Sequence, residues 1–159
     1  MKKIFFSLIL ISWTVFSTSC GEKKTDPVPQ KTPEELAIED LTGGTSQTWT
    51  VSGGGSVQRD GRSETNIYQN FEITFSANNS SKTYQTFNNN SLFAANGNWE
   101  FVSGRVDRIR LSGTAPASGQ EISFNRTGND LRLQFNIPVP NARIEAVAGG
   151  YVFNLRRRQ

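Results

Sequence analysis

The sequence predicts an all-β fold: an antiparallel up-and-down barrel of eight or nine short strands, preceded by one short helix. Three observations carry this. From Gln47 onward, apolar residues recur at every second position. Clusters of Asn, Gly, Ser and Pro interrupt that alternation at fairly even intervals. Each alternating stretch has one polar face, so each strand has one wet side, unlike the strands of a parallel sheet buried on both faces. Short strands with regular turns and a single apolar face belong to an antiparallel barrel or sandwich.

The helix comes first. In Thr32-Pro33-Glu34-Glu35, Thr32 is a candidate N-cap, Pro33 suits the first helical position and Glu35 stands where a capping-box partner belongs. Ala37, Ile38 and Leu41 fall on one face and Gly43-Gly44 ends the segment, which gives a helix over 33–41. Trp49 and Val51 open the first strand, which Gly53-Gly54-Gly55 breaks. Phe71, Ile73 and Phe75 share a face in the next, and Asn78-Asn79-Ser80-Ser81 turns the chain into 82–87. Asparagine clusters at 88–90 and 96–98 bracket the following segment, where Trp99 and Phe101 point one way and Glu100 the other. Ile109 with Leu111, and Ile122 with Phe124, continue the pattern up to a turn at Gly128-Asn129. The clearest strand is 130–137, with Leu131, Leu133, Phe135 and Ile137 inward and Pro138 and Pro140 stopping it. Tyr151, Phe153 and Leu155 line the last strand. Most of these strands are shorter than the ~9–11 residues of a membrane-spanning barrel.

The N-terminus has a different character. Lys2 and Lys3 precede an apolar run from Ile4 to Phe16, followed by the small residues Ser17, Thr18 and Ser19 and then Cys20, the only cysteine. This is the layout of a secretory signal, 1–19, and the run is too short for the ~20 residues of a spanning helix. Cys20 directly after it resembles the lipidated cysteine of bacterial lipoproteins, and the Ser/Thr-rich approach is similar to that of Bacteroidota members. The alternative is ordinary cleavage, leaving an unpaired thiol in an oxidising compartment. Gly21 in place of Asp, by the same resemblance, implies the outer membrane, with the side it faces left open. Residues 20–31 read as a lipidated cysteine and a flexible tether, with a reach of roughly 30 Å.

Composition excludes several chemistries. The chain has no histidine, and with its one cysteine assigned to the anchor, disulfides, His/Cys zinc sites, Ser-His-Asp triads and Cys-His pairs are all excluded. No cofactor and no metal are expected. The net charge of +3 owes much to Arg156-Arg157-Arg158, and a terminal run of this kind reads as solvated. Scattered arginines and sheet-phased aromatics do not suggest nucleic-acid binding. The carboxylates Asp60, Glu64, Glu72, Glu100, Asp107, Glu121, Asp130 and Glu145 are spread along the chain with nothing selecting an acid–base pair, so no catalytic residue is assigned and no enzyme is expected.

Residues 36–156 resemble the small lipocalin-like domains of Bacteroidota lipoproteins. The resemblance rests on Leu41-Thr42-Gly43-Gly44 leading into Gln47-Thr48-Trp49-Thr50-Val51, on Gly97-Asn98-Trp99-Glu100-Phe101, and on the closing Gly150-Tyr151-Val152-Phe153-Asn154-Leu155-Arg156. It implies one domain over 32–159 and a barrel-closing contact of Arg156 across Trp49, worth about 0.5–2 kcal/mol as a cation–π pair. Phe71, Phe75, Phe87, Trp99, Phe101, Phe124, Phe135 and Phe153 are the inward aromatics. The leading expectation is that they line a cavity that binds a small apolar ligand at the barrel mouth; the alternative is that they fill the core. In the second case the protein is an accessory subunit of an outer-membrane assembly that meets glycan or protein through its Asn- and Ser-rich loops, with the protein partner unidentified.

Overall fold

Strand alternation, turn residues and one capped helix combine into a single closed sheet. A computed structural model describes residues 30–139 and 147–159, and Lys31–Gln159 forms one compact unit. The expected signal segment, Cys20 and most of the expected tether lie outside the described residues.

Helix α1 (Pro33–Thr42) starts as its sequence dictates. The Thr32 hydroxyl accepts the Glu35 amide at 3.2 Å, while the Glu35 carboxylate accepts the Thr32 amide at 2.7 Å. That reciprocal pair satisfies two of the amide donors a helix start leaves open, and it holds the Glu35 carboxyl below its ordinary range. Gly43 ends the helix at φ 63°, a left-handed conformation that costs glycine little.

Ten strands follow: β1 (Ser46–Thr50), β2 (Ser56–Arg59), β3 (Arg62–Ser63), β4 (Glu72–Ala77), β5 (Lys82–Phe87), β6 (Asn96–Val102), β7 (Arg105–Leu111), β8 (Ile122–Thr127), β9 (Asp130–Ile137) and β10 (Gly149–Arg157). They pair antiparallel in the order β1-β4-β5-β6-β7-β8-β9-β10, and β10 returns to β1 through Trp49↔Arg157 and Thr50↔Arg156. The result is a closed eight-stranded up-and-down barrel with no free edge around its circumference, which removes the edge-pairing hazard of open sheets. β2 also pairs with β10, through Phe153↔Val57, so β1 and β2 are two segments of one barrel strand. The interruption at 51–55 is a tight excursion in which the Gly55 amide donates to the Val51 carbonyl at 2.8 Å. β2 and β3 form a hairpin around Asp60-Gly61, both at positive φ as a two-residue hairpin turn demands.

The helix contacts β1 and β4 on one side of the barrel and β7 and β8 on the other, so it lies across one end. Ala37 and Leu41 enter the core there, and the Trp49 indole Nε1 donates to the Leu41 carbonyl at 2.8 Å. The opposite end is filled from the connections. Leu92 and Phe93 of the β5–β6 loop and Ala117 of the β7–β8 connection are buried, and the Ala117 amide donates to the Leu92 carbonyl at 3.0 Å. The loop turns through Asn88, Asn90 and Ser91 at φ 51°, 48° and 59°, a region that asparagine tolerates better than most residues.

Candidate functional site

The barrel interior is the first place to look, because the inward aromatics converge there. Phe71, Phe75, Trp99, Phe124, Phe135 and Phe153 all face inward and are buried, and Phe101 packs partly buried against them. Several of them pack ring against ring. Phe93 packs among three of them, with ring centroids 5.3 Å from Phe71, 5.5 Å from Phe135 and 5.5 Å from Phe153. Phe135 in turn stacks on Tyr151 at 5.3 Å, and Tyr68 meets Phe153 edge-on at 5.2 Å. These are close-packed aromatic distances, each pair adding about 0.5–1.5 kcal/mol beyond area burial. Burial pushes the Tyr68 hydroxyl up to about 12, against the weaker opposing effect of its hydrogen bond with Asn90. The Tyr84 and Tyr151 hydroxyls are raised for the same first reason.

Two expectations change here. Phe87 is not an inward residue: it is half exposed on the outer face. The register explains why. Phe75 pairs with Tyr84 and Ile73 with Thr86, which puts Tyr84 and Thr86 inside and sets Phe87 opposite Glu72 on the outside. Arg156 does not cross Trp49 either. It is an exposed side chain whose Nη1 lies 2.5 Å from the Asp130 carboxylate. The guanidinium over Trp49 belongs to Arg126, at 5.9 Å from the ring, and it also donates to the Glu39 carbonyl near the end of α1 at 3.4 Å. A cation there complements the negative end of the helix dipole, and α1 has no basic residue of its own in its last turn. Trp49 and Arg156 do stand in the closing strand pair, through their backbones.

Several of the carboxylates meet arginines. Glu64 meets Arg59 at 2.8 Å, Glu72 meets Arg158 at 2.7 Å, and Glu121 meets Arg110 at 2.6 Å and Arg108 at 3.4 Å. Asp107 accepts both Arg105 Nε and Nη2, which holds its carboxyl below the ordinary range. Asp60 accepts the Gly150 amide at 2.8 Å. Glu145 lies outside the described residues. Among the described residues, no cluster of three acidic, histidine or cysteine side chains is placed to hold a metal ion. No helix among them is long and apolar enough to cross a membrane.

Clefts are found on the outside. One, of about 680 Å³, is walled by Arg108, Glu121, Ser123, Gln134, Asn136 and Val152, with Asp60 and Gly150 at its margin. A second, of about 330 Å³, lies further along the same strands between Asn125, Arg132, Asn154 and Arg156, over Gly54 and Gly55. Both sit on the outer face of β8, β9 and β10, a surface that reading the sequence for inward aromatics and loops passed over. The signal was present in the outward phase of these strands, where asparagine, glutamine and serine stand in place of the more usual lysine and glutamate.

Fold and site thus define a plugged, closed, eight-stranded antiparallel barrel behind a short capped helix. Compared with protein-family models, with curated proteins and with solved structures, the chain finds no match in any of the three.

Proposed function

We propose that this is a lipid-anchored, non-catalytic protein of the bacterial cell envelope, held at the outer membrane by Cys20. Its lipocalin-like barrel works through its outer surface, as an accessory component that meets a glycan or a protein. The observation that carries this reading is Phe93 packed among Phe71, Phe135 and Phe153, which leaves the barrel interior beneath the β5–β6 loop occupied by the chain itself. The pairing of acidic side chains with separate arginines supports the non-catalytic part, since acid–base chemistry needs two groups converging on one substrate. The anchor rests on the signal-like start and on Cys20 as the only cysteine.

An apolar ligand in the interior is the second reading. It is favoured by the position of the plug, because Leu92 and Phe93 are borne on a loop rather than on a strand. Such a ligand requires that loop to withdraw.

Cys20→Ser is the test of the anchor. Expressed in a lipoprotein-processing host, the unaltered chain is expected to partition with membranes and into the detergent phase, and Cys20→Ser to stay uncleaved or move to the aqueous phase. Identical partitioning of the two at the same processed mass would contradict the lipid anchor.

A further inference from the structure

We infer that the outer face of β8–β10 is a binding surface for a neutral, hydroxyl-rich polymer, a glycan chain, an inference that rests on the outer-surface reading above. Cross-strand register places the side chains in rows. Ser123, Gln134 and Val152 stand side by side, as do Asn125, Arg132, Asn154 and Ser56, and Asn136 continues β9 towards Gly150. From 130 to 136 this face runs roughly 20 Å along β9, at about 3.3 Å per residue. The clefts of about 680 Å³ and about 330 Å³ succeed one another along it.

The chemistry of these rows selects the ligand. Four carboxamides (Asn125, Gln134, Asn136 and Asn154) can each offer two donors and accept at the carbonyl oxygen. Few of those valences are used within the protein: Asn154 Nδ2 donates to Ser56 Oγ at 3.0 Å, Gln134 Oε1 accepts Arg132 at 3.5 Å and Asn125 Oδ1 accepts the Thr127 hydroxyl at 3.3 Å. In the wall of the larger cleft, Arg108 Nε is shielded from solvent and makes no hydrogen bond, with the Asp107 carboxylate 4.0 Å away. Side chains that both donate and accept match sugar hydroxyls, which do the same. Charge points to a neutral partner. The two clefts contain three arginines (Arg108, Arg132 and Arg156) and three carboxylates (Asp60, Glu121 and Asp130), so neither an anionic nor a cationic polymer is preferred. A peptide fits less well. β9 and β10 are paired on both sides, so neither offers a strand edge for β-addition, and the rows present no exposed aromatic anchor.

The experiment is affinity electrophoresis of Lys31–Gln159, the unit that contains the whole core. Native gels would carry a soluble α-glucan, β-glucan, mannan or xylan, with polygalacturonate as the anionic comparison and an Asn/Ser-rich peptide titrated separately. Retardation is expected in at least one neutral gel, and at least fivefold weaker binding from Gln134→Ala with Asn136→Ala, both exposed positions. Gln85→Ala, exposed on β5 across the barrel, is expected to bind as the parent does. Melting curves confirm that each variant is folded, and Asn125→Ala serves as a second probe of the same face. No retardation in any neutral gel, retardation by polygalacturonate alone, preference for the peptide, or equal loss from Gln85→Ala would each overturn the proposal. Its failure leaves the outer-surface reading standing, because that reading falls instead to an interior ligand, which mass measurement detects.

Discussion

Trp49→Ala is expected to be the most damaging substitution of a single core side chain, lowering stability by ~3–5 kcal/mol, or the melting temperature by roughly 10–20 °C. Three separate roles end together. The indole is fully buried at the closing strand pair, its Nε1 satisfies the Leu41 carbonyl, and its face supports Arg126. Removing it opens a cavity beneath α1 and strands a buried carbonyl, so the helix should loosen from the barrel as well. Trp49→Phe keeps most of the volume and loses the hydrogen bond, so its expected cost is smaller, about 1–3 kcal/mol. Arg156→Ala should cost little, because its partner Asp130 is an exposed carboxylate. Thermal melts of the three variants check this order. A Trp49→Ala protein melting within ~3 °C of the parent would show that the helix and the closing pair do not depend on the indole.

Gly55→Ala is expected to disrupt closure from the other side of the same seam. A Cβ at position 55 would stand 2.6 Å from the Asn154 carbonyl oxygen and 2.8 Å from Val51 Cα and the Val51 carbonyl oxygen. All three are backbone atoms, and relief requires β10 to separate from the β1–β2 strand. Overpacking of side chains alone costs about 1–3 kcal/mol, and backbone obstruction lies at or above the top of that range. Gly53→Ala and Gly54→Ala meet little in the way of side-chain or backbone obstruction. Their left-handed backbones alone are strained, at about 1–2 kcal/mol each. Urea titration of the three variants should therefore rank Gly55→Ala lowest. If Gly55→Ala unfolds no earlier than the other two, the close approach at Asn154 does not hold the seam.

How far the sequence leads depends on how much each segment says about its own phase. In β9, strict alternation from Asp130 to Ile137 admits one orientation, and burial follows it residue by residue. The capping box of α1 is equally local and equally readable. β5 is ambiguous by nature. Tyr84 and Phe87 are three apart, so one aromatic must point outward, and only pairing with β4 decides which. The β2–β3 hairpin escaped detection because Val57 is its one buried apolar residue, although Asp60-Gly61 is a recognised hairpin turn. Leu92-Phe93 sits in an asparagine-rich turn region whose composition points to surface, and its burial depends on a barrel end that only the closed sheet creates. The arginine over Trp49 is set by strand register in the same way, since β8 carries Arg126 to the helix end and β10 directs Arg156 towards Asp130. Inward residues were legible from period. Which interior they fill, and which outward rows stand together, is a property of topology.

Native mass spectrometry separates the proposed barrel, filled by its own chain and working from outside, from one that opens to a ligand. Lys31–Gln159 would be incubated with a lipid extract of the host envelope and measured under gentle and then unfolding conditions. The account predicts the apo mass alone across the extract. A stoichiometric apolar adduct that is lost on unfolding would contradict it and would mean that Phe93 leaves its place among Phe71, Phe135 and Phe153 to admit a ligand.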